Sequence, residues 1–244
     1  MKNVKKLLEG KLPNEYNDKI FWYASKVLLD DGCVKVYAEN ENLVCFDDVN
    51  LDMKKISNFI SIKQIKKKVF NNVLISSGSF LFVNDKLAVT QREDTVKYDP
   101  SFWTTPAGRC DRGIFETGIK ETIEEIKIEQ NSKILYPHIA KPFIHNQENV
   151  EFYNSSFEDK FNQLKIHTIQ LYLDNILIEE CKAWFYFSHE VNTIEFRIPI
   201  FTKLNEKNLI LSNPEFGTDT ALKTIDELKK MNVVPALKQL LKEI

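Results

Sequence analysis

Glycine is scarce in this chain, seven in 244 residues, and cysteine is scarcer still at four. No apolar run approaches the ~18–20 residues that a membrane span needs. Each shortage excludes something. Cys33, Cys45, Cys110 and Cys181 stand apart with no Cys-x-x-Cys pair, which argues against a zinc knuckle and against a disulfide scaffold. An excess of either charge is missing too: 33 Lys and Arg face 35 Asp and Glu, a net charge of -2. No bulk basic field therefore points to nucleic acid or an anionic membrane surface. The opening MKNVKKLLEGKLPNEY is basic but has no long apolar core and no small-residue cleavage site, unlike a signal peptide. The chain reads as a folded, cytoplasmic, non-membrane protein.

What is present is 43% hydrophobic and 28% charged, enough to bury a real core in one enlarged domain or two small ones. Residues 1–68 read as a separate lead-in. Val4 to Glu9 and Ile20 to Leu29 suggest short helices, Cys33 to Phe46 a hairpin around a polar Glu-Asn-Glu-Asn turn, and Leu51 to Ile60 another helix before the basic connector KQIKKK. From Val69 the texture changes. VLISSGSFLFV and KLAVTQRE flank Asn84-Asp85 as two strands about a turn. ILYPHIAKPF reads as a strand, and residues 146–180 as an insertion whose segment IHTIQLYLDNILIEE suits strand or helix. AWFYFSH and TIEFRIPIFTKL form a second hairpin, and ALKTIDELKKMNVVPALKQLLKEI is helical on both sides of Pro235. Strands, a helix, more strands and a final helix predict a mixed α/β sandwich.

Because glycine is so rare, Gly108, Gly113 and Gly118 crowding into eleven residues marks a loop with special backbone demands. The helix that follows places Ile119, Ile123 and Ile126 on one stripe, predicted to be buried. Glu121, Glu124 and Glu125 lie at i, i+3 and i+4 and are expected to point away from it. Three like charges so close repel by a few tenths of a kcal/mol per pair. A hard divalent cation turns that repulsion into binding, since Mg²⁺ takes oxygen ligands from carboxylates and substrate phosphates. Trp103-Thr104-Thr105-Pro106-Ala107-Gly108 ends a strand in a tight turn just upstream, able to aim a carbonyl at the same cation.

These residues resemble the Nudix hydrolases, whose signature is G-x5-E-x7-R-E-U-x-E-E-x-G-U with U a bulky aliphatic. Trp103, Pro106 and Gly108 look like the lead-in, and Lys120 to Ile128 looks like the second half. Arg92 stands where the family has an arginine at the end of its second strand. The resemblance covers residues 69–140 well and 183–244 more loosely, and does not extend to 1–68. Gly108 to Glu121 is two residues shorter than the family spacing. Ile114 replaces the loop glutamate, Lys120 the arginine, Thr122 the aliphatic and Lys127 the closing glycine. Glu116 and Lys120, at i and i+4, are in the favourable order to replace part of the lost ion pairing.

The resemblance implies a Nudix-type mixed-sheet α/β/α sandwich over 69–244; the lead-in over 1–68, which it does not reach, reads as a small α+β extension, a dimerisation arm or a lid. It implies hydrolysis of the diphosphate in a nucleoside diphosphate linked to another moiety, of the nucleotide-sugar, ADP-ribose or dinucleotide type. Mg²⁺ or Mn²⁺ would sit on Glu121, Glu124 and Glu125 with the Gly108 carbonyl. Those glutamates and Glu215, in the loop SNPEFGTDT, are the catalytic candidates, Glu215 as general base or else a surface turn residue. Arg92 and Arg109 are candidates for phosphate, Arg92 alternatively for a surface ion pair with Glu93 or Asp94. Trp103 and Phe216 are candidates for ring stacking, or else core. The expected partner is a small nucleotide, with capped RNA ends still open and a homodimer allowed for. The other reading of the same residues is a catalytically silent module that binds nucleotide.

Overall fold

Leu74–Val83 (β3) and Lys86–Gln91 (β4) form the predicted hairpin, with Asn84 at φ 56° in its turn. Asparagine tolerates that left-handed backbone better than most residues. The computed structural model describes residues 34–39, 42–47, 74–110, 113–144, 148–158, 164, 166–173, 176–188 and 193–244. The helices expected at Val4–Glu9, Ile20–Leu29 and Leu51–Ile60 and the KQIKKK connector lie outside them. The described residues divide into two compact units. One takes the described residues within 1–76, 109–117 and 166–196, the other those within 77–108, 118–165 and 197–244.

In the first unit, Val34–Glu39 (β1) and Asn42–Asp47 (β2) pair antiparallel as the predicted N-terminal hairpin. His167–Leu173 (β10) then runs parallel to β2, Ile169 opposite Leu43, and antiparallel to Ile176–Ser188 (β11). The ambiguous segment IHTIQLYLDNILIEE is therefore strand over 167–173 and 176–180. Ile169 and Trp184 are fully or almost fully buried here, as alternating apolar positions on paired strands require.

The second unit carries most of the helical residues. Thr193–Thr202 (β12), β3, β4 and Thr220–Lys223 (β14) lie in that order in its main sheet. Trp103–Thr104 (β5) pairs with β4, and Ala107–Arg109 (β6) pairs with β3. Phe80 through Val83 are buried without alternation, the pattern of a strand covered on both faces. The Phe82 ring stacks on Phe201 at 5.0 Å. A second sheet joins Leu209–Ser212 (β13), Lys127–Gln130 (β7), Lys133–Pro137 (β8) and Val150–Tyr153 (β9), the last two parallel. The expected mixed α/β class is what the described residues show.

Two segments differ from expectation. ILYPHIAKPF is strand only as far as Pro137, after which His138–Phe143 turns as a 3₁₀ helix. Ala221 to Lys223 were expected to be helical but belong to β14, with Ala221 opposite Val89. The helix beyond begins at Ile225, because Thr224 and Glu227 close a reciprocal capping box there, leaving the preceding residues free to pair with β4. Ile225–Leu228 (α2) and Pro235–Glu243 (α3) lie on either side of Pro235 as expected, with the proline at the first turn of α3. Ala236, Leu237, Leu240 and Leu241 bury the inner face of α3.

Candidate functional site

The glutamate helix, Ile114–Glu125 (α1), is where the sequence placed it, but its buried face follows the predicted isoleucine stripe only in part. Ile119 and Ile126 are buried, whereas Ile123 is only partly so; Gly118, Thr122 and Glu125 go inward. The shift has a local cause. Thr122 Oγ1 lies 2.6 Å from both Ser79 Oγ on β3 and the Gly118 carbonyl, so the polar face is held to the sheet by hydrogen bonds. The expectation that all three glutamates face solvent is corrected for Glu125, which is 6% exposed. Glu121 is 13% exposed at its side chain, and Glu124 is 45% exposed.

The turn ahead of the helix reaches the same carboxylates. Ser79 N–H donates to the Pro106 carbonyl at 3.1 Å, and Ala107 N–H donates to Glu125 Oε1 at 3.1 Å. Gly108 faces Glu121 so closely that a Cβ there would collide with the carboxylate. Gly78, for the same steric reason, is what lets Pro106 and Ala107 lie against β3. Lys120 Nζ stands 3.7 Å from Glu121 Oε1 and 3.5 Å from Glu124 Oε2. Its ammonium therefore stands beside the acidic cluster.

Glu215 comes from a loop built by one buried asparagine. Asn213 Oδ1 accepts from Glu215 N–H and Phe216 N–H, each at 3.0 Å, while its Nδ2 donates to Thr90 Oγ1 at 2.9 Å. Glu215 is near enough to Glu124 and Glu125 to act on their charges. Burial raises the Glu215 carboxyl above its ordinary range, Glu124 raises it further, and Lys120 opposes both. Glu125 is pushed up to about 8, first by burial; Ala107 N–H pulls it back, Glu121 and Glu215 push it higher, and Arg197 pulls it down. Four carboxylates therefore form one electrostatic group.

The remaining candidates are scattered in character. Arg92 has its Nε buried without a hydrogen-bond partner among the described residues, while its backbone N–H donates to the Phe102 carbonyl at 2.9 Å. Trp103 is half-buried, its backbone held between β4 and Asn232 to Val234. Phe216 is 48% exposed beside Glu215. Arg109 is exposed at the end of β6. Sequence reasoning missed Arg197, a cation 2% exposed whose Nε donates to Thr105 Oγ1 at 3.2 Å. Its signal was an arginine within the strand pattern of TIEFRIPIF, followed by the apolar run Ile198 to Phe201. It also missed Glu179 in the first unit, whose two oxygens accept from Ile114 N–H at 2.6 Å and Phe115 N–H at 2.7 Å.

Hard oxygen donors, one of them buried and shifted toward its neutral form, fit a divalent cation in kind. They are not assembled into a cage: among the described residues no three His, Cys, Asp or Glu side chains already form a metal-holding group. Among those residues no helix is long and apolar enough to cross a membrane.

No protein-family model matches the chain, and no curated protein matches it. Solved structures of Nudix proteins are similar to it in fold. The Ap4A hydrolase of C. elegans, in a binary complex, is 14% identical over 70% of this chain and 94% of its own, with a TM-score of 0.39. The NUDIX domain of Shewanella oneidensis NrtR, complexed with ADP ribose, is 12% identical over 80% and 96%, with a TM-score of 0.40. A bifunctional NMN adenylyltransferase/ADP ribose pyrophosphatase from Francisella tularensis is 13% identical over 70% of this chain but only 40% of its own, with a TM-score of 0.41.

Proposed function

We propose that the chain is a Nudix-type pyrophosphohydrolase that cleaves the diphosphate of a nucleoside diphosphate joined to another moiety. The observation that carries this reading is the meeting of the Trp103–Gly108 turn with α1. Ala107 N–H orients Glu125, and Gly108 leaves room for Glu121, in the segment whose sequence resembles the Nudix signature. An acidic helix face that served only to be solvated would not bury its third glutamate or shape a turn around its first.

The donors for Mg²⁺ or Mn²⁺ in this reading are Glu121, Glu124, Glu125 and the Gly108 carbonyl. Such a cation, when bound, neutralises diphosphate charge and acidifies water. The chain's own residues do the rest. Burial keeps Glu125 protonated near neutral pH until a cation competes for it. Glu215, raised above its ordinary range and set on an exposed loop by Asn213, suits the acceptance of a proton from attacking water. Phe216, adjacent and exposed, suits stacking on a ring of the substrate. Arg92, its Nε still without a partner among the described residues, suits a phosphate oxygen. Catalysis of this kind is chiefly positioning and charge.

A second reading is favoured by Lys120, whose ammonium already contacts Glu121 and Glu124 and competes for the cation's place. In that reading the site binds nucleotide without cutting it. The purified protein, incubated with nucleotide sugars, ADP-ribose, dinucleotides and capped oligonucleotides in Mg²⁺, Mn²⁺ or EDTA, decides by product mass. Metal-dependent release of a nucleoside monophosphate establishes the hydrolase. Thermal stabilisation by one compound without products establishes the silent module, and neither effect removes both.

A further inference from the structure

Arg197 is a charge in a costly place. At 2% exposure on β12, a guanidinium needs partners to offset its lost hydration. One of them is Thr105, itself 2% exposed, in the Trp103–Gly108 turn. That turn is pressed on β3, where Ser79 N–H reaches the Pro106 carbonyl and Ala107–Arg109 pairs with the same strand. Two residues beyond Thr105, its Ala107 N–H reaches Glu125. The order along the chain is therefore anchor, backbone contact, carboxylate. Removing the anchor leaves a short segment with one fewer constraint immediately before the amide that orients Glu125. Arg197 also acts on Glu125 through its charge.

We propose that Arg197 is a positioning residue: it fixes Thr105, and the turn so fixed presents Ala107 N–H to Glu125, holding that carboxylate in its cation-binding orientation. The last step rests on the functional reading above; the first two do not. The Arg197–Thr105 pair is thus an internal strut for the site, made of two residues that need never touch substrate.

The test separates the strut from the chemistry. Thr105→Val keeps the shape and removes the hydroxyl, Thr105→Ser restores the hydroxyl, and Arg197→Lys keeps the charge but loses the planar Nε–H. Amide hydrogen exchange at Ala107 is read against Leu87 and Val89 in the core, and Mn²⁺ affinity is read by titration of the free ion. Thr105→Val and Arg197→Lys are expected to speed exchange at Ala107 about tenfold, the order of one hydrogen bond, and to weaken Mn²⁺ binding by a similar factor. Leu87 and Val89 keep their protection, and Thr105→Ser returns both readouts toward the wild type. Unchanged exchange at Ala107 in both variants overturns the proposal, as does acceleration shared equally by the core amides. Accelerated exchange at Ala107 in a protein whose wild type binds no Mn²⁺ supports the strut and overturns the metal reading instead.

Discussion

Glu125 is the residue on which stability and activity pull in opposite directions. Its carboxyl, buried and raised to about 8, is largely neutral at pH 7 without a cation. Forcing it to ionise costs about 1.4 kcal/mol for every tenfold by which its acidity is weakened. Glutamine is the same shape and permanently neutral, and its Oε1 can still accept from Ala107 N–H. Glu125→Gln is therefore expected to melt at or above the wild-type temperature in EDTA at pH 8. The same variant should lose roughly a hundredfold or more of its turnover, as removal of one charge-stabilising group commonly does. Thermal denaturation beside product formation checks both. A variant that is destabilised by more than about 2 kcal/mol would show that the ionised carboxylate is part of the resting fold.

At the scale of the element, α1 depends on a group from outside the region that resembles the signature most closely. Glu179 satisfies two N–H groups of the first turn, which no backbone carbonyl within the helix can do. Glu179→Ala removes the carboxylate that both donors share and leaves the cavity of a lost side chain. It is expected to cost about 2 kcal/mol, read as a lower urea midpoint at unchanged slope. This is also the point at which the sequence stopped being legible. Ile114, where the resemblance expects a glutamate, was visible as a gap. That a carboxylate arrives at that turn from β11 is a long-range fact that no local pattern encodes. The β3–β4 hairpin, α1 and the Pro235 boundary were legible because turn residues, helical spacing and proline act locally. Glu125 was misjudged because an isoleucine stripe was weighed by hydropathy alone. Hydrogen bonds from Thr122 to Ser79 and from Ala107 to Glu125 rotated the buried face. β14 was misjudged because its strand character lies in an available edge of β4, not in its own composition.

For the whole molecule, these groups add into a dependence of stability on pH whose sign can be worked out. Glu125, raised to about 8, and Glu179, raised to about 7, both mainly by burial, hold protons in the fold that the unfolded chain has lost. Their contribution is complete below the unfolded value near 4.5 and drains away as pH rises to 7 and then 8. Glu206, lowered by Lys86 and Asn84, and Glu227, lowered by the Thr224 cap, act in the opposite sense. Their contribution is present above 4.5 and is lost in more acid solution. In EDTA the melting temperature should therefore peak in mildly acidic buffer and fall by several degrees toward pH 8, at about 2–4 °C for each kcal/mol in a chain of this size. A divalent cation changes only one arm of that curve. It binds the ionised form of Glu125, displacing the proton, and stabilises the fold by about 2.7 kcal/mol at a hundred times its dissociation constant. Saturating Mg²⁺ should thus raise the melting temperature more at pH 8 than at pH 5 and flatten the alkaline fall, and Glu125→Gln should abolish that difference. Equal shifts at both pH values, or none, would place the cation elsewhere or nowhere, and the carboxylate group of α1 would then be a buried acid without a metal role.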